Sequence, residues 1–434
     1  MFKFFPNDFF NFETIRILGM TRYGGADVAE VLEAVGKIKQ DDPQSWHDAW
    51  AEQAERATGF AQEALDSGHR TAARRALLRA TNYTRASGYM FTGDGALSPD
   101  PRTLSISEDA ANLFRRATQL FDNPVHELKI PFEDVTLRGY LFLPNASQRV
   151  PGKVPILISN NGADSIQEEI YFIQAAAGPE LGYGVATFDG PGQGLALHRD
   201  GLRMRPDWET VNSALLKHLE KLAQENTELE LDLNRIAVAG ASLGGYFALR
   251  AAADPRVKSV IAIDPVYDLW DFAMRHVNKS FLSAWSKGWI SDAVVDTVVG
   301  IMMRLAFQAR WELTLMGNLY GLRRPSQIMQ TMKEYTLRRE TKSNGDDESS
   351  YLGDVHASVL VTGAGKSLYL DVDDHTTRVF RALKSQSPLE KQLWIAQDPG
   401  EGGLQAKIGA IELCNQKTFR FLDQQFGIVR ERLL

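Results

Sequence analysis

The sequence lacks the features that mark a secreted or a membrane-spanning protein. It contains one cysteine, Cys414, which has no partner for an internal disulfide. No apolar run reaches the roughly 18 residues that a membrane-spanning helix needs. Pro6, Asp8 and Glu13 interrupt the N-terminus, so nothing there resembles a secretory signal. We therefore expect a cytoplasmic protein that has no membrane partner.

An excess of positive charge is also lacking. The formal net charge is -7, and Lys and Arg form no basic run of the kind that nucleic-acid binders carry. We expect no nucleic-acid partner, no cofactor and no metal. Hydrophobic residues, by contrast, make up 44% of the 434 residues, which is enough for one large core and an accessory region.

The first part of the chain has a helical pattern, which extends from about residue 27 to residue 123. Residues Ser45 to Asp48 read as a capping box at the start of a helix. Apolar positions recur with helical spacing in three segments, 46–65, 70–89 and 108–121. We predict a helical N-terminal accessory region over residues 1–124.

After Pro124 the pattern changes to short apolar runs that alternate with helical segments. The runs predict strands at 127–132, 135–143, 154–159, 184–188, 235–239, 257–263, 358–361 and 392–395. Helices are predicted between several of them, at 208–222, 243–253 and 376–383. This alternation indicates an α/β fold with a mostly parallel sheet covered on both faces. We assign its core to residues 125–269 and 351–434.

One stretch, from about residue 270 to residue 347, interrupts the alternation with a long helical pattern. It is too long for an ordinary loop, and we predict a helical insertion over residues 270–350. Its aromatic residues, among them Trp285, Trp289 and Trp311, either fill a core of the insertion or line a cap that holds an apolar substrate. The polar and acidic tail, 343–350, is expected to be a surface loop.

The strongest motif is Gly240-Ala241-Ser242-Leu243-Gly244, which follows a predicted strand and opens a predicted helix. This is the context that a G-x-S-x-G nucleophile elbow requires, because the serine stands on a sharp strand-to-helix turn. We expect Ser242 to be catalytic and Leu243 N–H to be one donor of an oxyanion hole. The alternative is a Gly-rich turn without chemistry.

The second oxyanion donor is expected in the turn after the strand at 154–159. Ala163 or Asp164 would supply it. The strand at 184–188 leads into Asp189-Gly-Pro-Gly-Gln-Gly194, where we favour a turn-capping role for Asp189 over a catalytic one.

These motifs resemble the FrsA-like α/β hydrolases: N-G-A-D-S-x-x-E-E, F-D-G-P-G-Q-G and G-A-S-L-G-G follow one another behind a helical N-terminal region. Within that family the chain is similar to fungal polyketide-shortening hydrolases and to dihydropseudooxynicotine hydrolase. The resemblance implies an α/β-hydrolase fold with a Ser-Asp-His triad. It also implies an acidic residue after the oxyanion turn, here Glu168 or Glu169. The alternative is that the carboxylate only stabilises a helix N-terminus.

The acid and histidine of such a triad are not where the family places them. The acid follows the seventh strand in this fold, and that position falls on or near Lys366. The histidine follows the eighth strand, yet no histidine occurs after His375. A serine without a base is a poor nucleophile at neutral pH.

Several residues are candidate substitutes, although none has the usual order in the chain. Asp264 and Asp268 follow the sixth strand, and His375 lies near the expected acid loop. For both His375 and His198 we favour a structural role, and for His375 that of a solvated residue at a helix start. Glu401 stands in the loop that normally carries the histidine. Apolar surroundings would raise its pKa and so let it act as a base.

An oxyanion hole without a triad still stabilises an enolate, which suits condensation chemistry. The loop from Gly400 to Lys407 resembles that of family members that are proposed to close the pyrrolinone ring of cytochalasan-type compounds by Knoevenagel condensation. We therefore rank condensation of a polyketide 1,3-dicarbonyl intermediate ahead of hydrolysis, with an inactive binding protein as a third hypothesis. The expected binding partner is an apolar, polyketide-derived small molecule. The sequence leaves open whether the protein forms a homodimer.

Overall fold

The computed structural model describes residues 2–92, 98–339, 350–384 and 390–431. The strands are β1 (Val125–Phe132), β2 (Val135–Phe142), β3 (Val154–Asn160), β4 (Gly184–Phe188), β5 (Leu231–Ala241), β6 (Val257–Ile263), β7 (Ser358–Ala364) and β8 (Lys391–Ala396). The α-helices are α1 (Asp8–Gly19), α2 (Val28–Lys37), α3 (Pro43–Asp66), α4 (Arg70–Ser87), α5 (Thr103–Thr118), α6 (Gln167–Ile170), α7 (Gly194–His198), α8 (Trp208–Glu225), α9 (Leu243–Ala251), α10 (Leu269–His276), α11 (Lys279–Ser286), α12 (Asp292–Leu305), α13 (Phe307–Tyr320), α14 (Pro325–Met332), α15 (Arg378–Ala382) and α16 (Ile411–Gln425).

The strands form one sheet in the order β1-β2-β4-β3-β5-β6-β7-β8. The pairs β1–β2 and β2–β4 are antiparallel, whereas the strands from β4 to β8 pair in parallel. Every residue of β3, β4 and β7 is buried, as expected of parallel strands that are covered on both faces. The predicted α/β fold and its mostly parallel sheet are confirmed.

The chain divides into two compact units, and the sheet belongs to the unit that comprises Thr118–Gly190, Asp207–Tyr267 and Leu337–Leu434. Helix α8 packs against α9 through Trp208 and Phe247, whose rings stack with centroids 3.8 Å apart. Both side chains are fully buried. This contact fixes the helix that follows the serine motif.

The other unit comprises Met1–Ala117, Pro191–Pro206 and Asp268–Thr336, so it contains α1–α5, α7 and α10–α14. Its core is aromatic: the ring of Phe9 lies 4.9 Å from that of Trp311, and the ring of Phe10 lies 5.6 Å from that of Trp46. The N-terminal helices and the helices of the predicted insertion therefore share one core.

Several local predictions were wrong. Asp42, not Ser45, is the N-cap of α3, because its carboxylate accepts hydrogen bonds from Gln44 N and Ser45 N while Pro43 occupies the first helical position. Trp289 is 77% exposed and contributes to no core.

The predicted surface loop lies outside the described residues except for Ser350. Among the residues that the structure describes, no helix is both long and apolar enough to cross a membrane.

Candidate active site

Ser242 stands at the turn between β5 and α9 in a strained backbone conformation, with φ 56° and ψ -118°. Positive φ is costly for a residue that has a Cβ, so the surrounding structure must hold it. Two backbone hydrogen bonds do so: Ser242 N donates to Ile263 O at 2.9 Å, and Val266 N donates to Ser242 O at 3.2 Å. The serine is half-buried. This is the geometry of a nucleophile elbow.

The glycines of the motif let the elbow pack closely. A Cβ on Gly240 would lie 2.1 Å from Gly244 O, and a Cβ on Gly244 would lie 2.8 Å from Asn160 O. Neither distance is tolerable between non-bonded atoms, so only glycine fits. The elbow is thereby held against the end of β3.

The turn after β3 starts beside the elbow. A Cβ on Gly162 would lie 3.4 Å from Ala241 O and 3.9 Å from Gly244 N. Ala163 and Asp164 follow in this turn and are half-buried. The N–H of Leu243 belongs to the first turn of α9, where backbone donors have no intrahelical acceptor. The parts expected to form an oxyanion hole thus lie on neighbouring segments.

Two polar side chains from α8 hold the end of β3 in place. Trp208 Nε1 and Asn212 Nδ2 both donate to Asn160 Oδ1, at 2.9 and 3.0 Å. All three side chains are buried. The turn that follows is therefore anchored to the interior of the sheet unit.

Asp189 ties the end of β4 to the start of α6. Its Oδ1 accepts hydrogen bonds from Asn161 Nδ2 and Gln167 N, both at 2.9 Å. The structural role favoured for Asp189 from the sequence agrees with these contacts.

Glu168 and Glu169 both lie in α6 and are both buried, 3% and 2% exposed. Burial, reinforced by the negative charge of Asp189, raises the pKa of Glu168 well above its usual value. A carboxyl group with a raised pKa exchanges protons closer to neutral pH than an exposed glutamate does. Glu168 is thus a candidate proton carrier.

Lys407, in the loop after β8, is bound to Asp264 at the end of β6. Lys407 Nζ lies 2.7 Å from Asp264 Oδ1 and 2.8 Å from Gly363 O. Thr362 Oγ1 also donates to Asp264 Oδ1, at 2.7 Å. Lys407 is 0% and Asp264 2% exposed, so this is a buried ion pair. Burial raises the pKa of Asp264, and Lys407 and Thr362 act in the opposite direction.

Unusual backbone conformations accompany the pair. Asp264, Ala406 and Lys407 all have positive φ, at 43°, 57° and 57°. The side-chain amide nitrogen of Gln405, Nε2, donates to Asp264 O at 3.0 Å. This is a second hydrogen bond between the same loop and the end of β6. The loop that carries the histidine in the resembling hydrolases is here closed onto β6 and β7 by Lys407.

Sequence reasoning considered Asp264 but missed Lys407. The available signal was local: Lys407 is the one charged residue in the apolar, glycine-rich segment 402–410. Lysine is rarely fully buried unless it is paired.

The prediction that His375 is a solvated helix-start residue was wrong. His375 is 2% exposed and lies in the π-helical turn Val372–Thr377. Its Nδ1 accepts a hydrogen bond from Tyr267 N at 3.2 Å, so this nitrogen holds the backbone after β6. This contact gives His375 a structural role at the end of β6.

The surroundings of the other candidate replacements for the triad histidine and aspartate do not suit a catalytic base. Glu401 is exposed, whereas its candidacy required apolar walls. Asp268 caps α10 by accepting from Trp270 N at 2.9 Å. Burial and the charge of Arg203 lower the pKa of His198 to about 4, so this histidine in α7 is neutral at physiological pH. Lys366, at the expected acid position, is exposed.

Within the described part of the chain, no side chain forms a hydrogen bond with Ser242 Oγ. The same residues contain no group of three or more His, Cys, Asp or Glu side chains placed to hold a metal ion. The groups that the structure brings together at the elbow are the Ser242 hydroxyl and the backbone N–H donors at the start of α9.

Comparison with known proteins agrees with this geometry. The profile described as "Alpha/beta hydrolase family" matches residues 165–388, which is half of the chain. The chain belongs to the alpha/beta hydrolase family. It is an enzyme of that fold, and the family resemblance inferred from the motifs is confirmed.

This alpha/beta hydrolase has fungal relatives that match over their whole length. It is 54% identical to the hydrolase ORFZ of Pyricularia oryzae over 434 residues, with 100% of both chains covered. It is also 54% identical to the hydrolyase ccsE of Aspergillus clavatus over 440 residues, again covering 100% of both. The crystal structure of 2,6-dihydroxy-pseudo-oxynicotine hydrolase, 18% identical, shares the fold with a TM-score of 0.69 over 94% of this chain and 96% of that chain.

Proposed function

We propose that this alpha/beta hydrolase acts in fungal secondary metabolism and closes a ring by condensation. The proposed substrate is a polyketide chain with a 1,3-dicarbonyl unit that is joined through an amide to an amino aldehyde. The observation that carries the proposal is the buried Lys407–Asp264 pair, because Lys407 lies in the loop after β8, the loop that carries the histidine in the resembling hydrolases. A lysine held by a carboxylate and a carbonyl oxygen is poorly suited to accept the proton of Ser242.

The reaction is an intramolecular Knoevenagel condensation. The carbon between the two carbonyl groups loses a proton, and the resulting enolate attacks the aldehyde carbon to form a carbon–carbon bond. The aldehyde oxygen takes up a proton to become a hydroxyl group. Loss of the second proton from the same carbon then expels this hydroxyl, with a proton, as water. The net change is the loss of one water molecule and no loss of carbon.

The elbow supplies what this reaction needs most, which is stabilisation of an oxygen that becomes negative. We assign Leu243 N–H and an N–H of Ala163 or Asp164 to that oxygen, with the Ser242 hydroxyl as a further donor. Fixed donors aimed at developing charge are the largest single contribution in many enzymes. None of these donors requires the serine to be deprotonated.

Glu168 is assigned the proton transfers. Its raised pKa makes the ionised carboxylate a stronger base than an exposed glutamate, and the same group returns the proton to oxygen. Glu169, the other candidate from the sequence, is buried as well but is assigned no transfer step.

The names of two relatives support a reaction in which water is lost. The proteins ccsE and poxO are each named a hydrolyase, a term for enzymes that remove water to form a double bond. Loss of water with formation of a carbon–carbon double bond is the last step of the proposed condensation.

The test offers the purified enzyme an amino aldehyde that carries a β-ketoamide and, separately, a simple β-diketone. Product masses are recorded for reactions with the wild-type enzyme and for control reactions without enzyme. The proposal predicts a cyclic product that has lost one water from the first compound, and no cleavage of the second. Two shorter fragments formed with uptake of water would establish the alternative, a serine hydrolase.

A further inference from the structure

The helical unit contains a cavity that no part of the proposed chemistry uses. It has a volume of about 240 Å³ and lies among α10, α12, α13 and α14. Its apolar lining includes Phe272, Leu313 and four methionines, Met302, Met316, Met329 and Met332. Methionine side chains are flexible and adapt to ligands of different shape. The rim is open, since Ala306 is exposed and Met302 is half-buried.

One ionisable side chain, Glu312, is found in the lining of this cavity among the described residues. It is 9% exposed, and Gln308 Nε2 donates to its Oε1 at 2.8 Å. No cationic side chain appears in the lining that the structure describes. A buried carboxyl group is costly unless a cation or a hydrogen-bond donor compensates it.

We propose that this cavity binds a small apolar molecule that ends in an amine, with Glu312 as its partner. The apolar part occupies the methionine-lined space, and the ammonium group donates to the carboxylate. Burial raises the pKa of Glu312 to about 7, so ionised and protonated forms coexist near neutral pH and a bound ammonium favours the ionised one.

The size of the cavity limits the ligand. Sites for drug-sized molecules occupy roughly 300 to 1,000 Å³, so this cavity suits a single short alkyl or aryl group. The inference goes beyond the proposed condensation and does not rest on it, because none of the lining residues is assigned a step of that reaction.

The experiment compares the binding of n-hexylamine, n-hexanol and hexanoate to the full chain by calorimetry or ligand-observed NMR. The three probes share one alkyl chain and differ in the end group. We expect hexylamine to bind about ten- to hundredfold more tightly than hexanol, the range of a charge-assisted hydrogen bond. Hexanoate, which is repelled by the ionised carboxylate, should bind most weakly.

Glu312→Gln keeps the shape of the side chain and removes its charge, so it should abolish the preference for the amine while hexanol still binds. Glu334→Gln is the matched control, because Glu334 is exposed in the same unit. Ala309→Phe fills the cavity with its ring and should weaken the binding of both hexylamine and hexanol. Equal binding of the three probes, absence of binding, or a preference for hexylamine that survives in Glu312→Gln would overturn the inference.

Discussion

Lys407 Nζ and Asp264 Oδ1 lie 2.7 Å apart although 143 positions separate the two residues in the chain. Both side chains are almost completely buried, and the pair joins the loop after β8 to the ends of β6 and β7. Removal of one member leaves an uncompensated charge in the interior, which usually costs more than the pair itself contributes.

Lys407→Met should therefore lower the free energy of unfolding by about 3–5 kcal/mol, measured by urea denaturation. The double variant Lys407→Met with Asp264→Asn should lose less than the sum of the two single variants. Lys37→Met is the control, because Lys37 and Glu52 also lie 2.7 Å apart but are 43% and 45% exposed. Its expected cost is small, because solvent screens an exposed ion pair. If Lys407→Met lost no more stability than Lys37→Met, the result would contradict a buried ion pair between Lys407 and Asp264.

The close packing of the elbow predicts a second effect on stability. Gly244→Ala places a Cβ 2.8 Å from Asn160 O and 2.9 Å from Asn161 O, so the elbow must move. We expect a loss of about 1–3 kcal/mol together with a loss of activity. Gly300→Ala in α12 is the control, since nothing lies within 4 Å of its added methyl group. This change should stabilise the helix by up to about 1 kcal/mol.

Features encoded within a few neighbouring residues could be predicted from the sequence. The elbow is one, because Gly240 to Gly244 carry both the turn and the helix start. Each predicted strand is present for the same reason. The surroundings of His375 could not be predicted, because the contact that buries it comes from Tyr267, 108 positions away. The Lys407–Asp264 pair could not be predicted for the same reason, because the spacing of loops along the chain does not show which loops contact each other in the fold.

Glu312 should make stability depend on pH. The rise of its pKa from 4.5 to about 7 means that the folded state keeps a proton that the unfolded state has released. Stability therefore falls as pH rises through this window, by roughly 3 kcal/mol in total. Glu312→Gln should remove most of that fall, measured by denaturant unfolding at about pH 5 and about pH 8. The exposed control Glu334→Gln should retain it, and an unchanged slope in Glu312→Gln would refute the prediction.

Glu168 should govern the pH dependence of activity. Because the ionised carboxylate starts the reaction, kcat/KM should rise with pH through the raised pKa of Glu168. Glu168→Gln should lose about 10²- to 10⁴-fold in turnover and the pH-dependent rise with it. Glu169→Gln is the neighbouring control. The assignment would be wrong if Glu169→Gln, and not Glu168→Gln, abolished the rise.

The most direct test of the non-covalent role of Ser242 is the turnover of Ser242→Ala in the ring-closing assay, compared with the wild type and with Ser105→Ala, an exposed serine. If Ser242 only donates a hydrogen bond, the loss should be about 10²- to 10³-fold, as for one oxyanion donor. The cyclic product should still form, and a fluorophosphonate should label the wild type no faster than Ser242→Ala. A loss near 10⁶-fold, as for a triad serine, with rapid labelling at Ser242, would contradict the account.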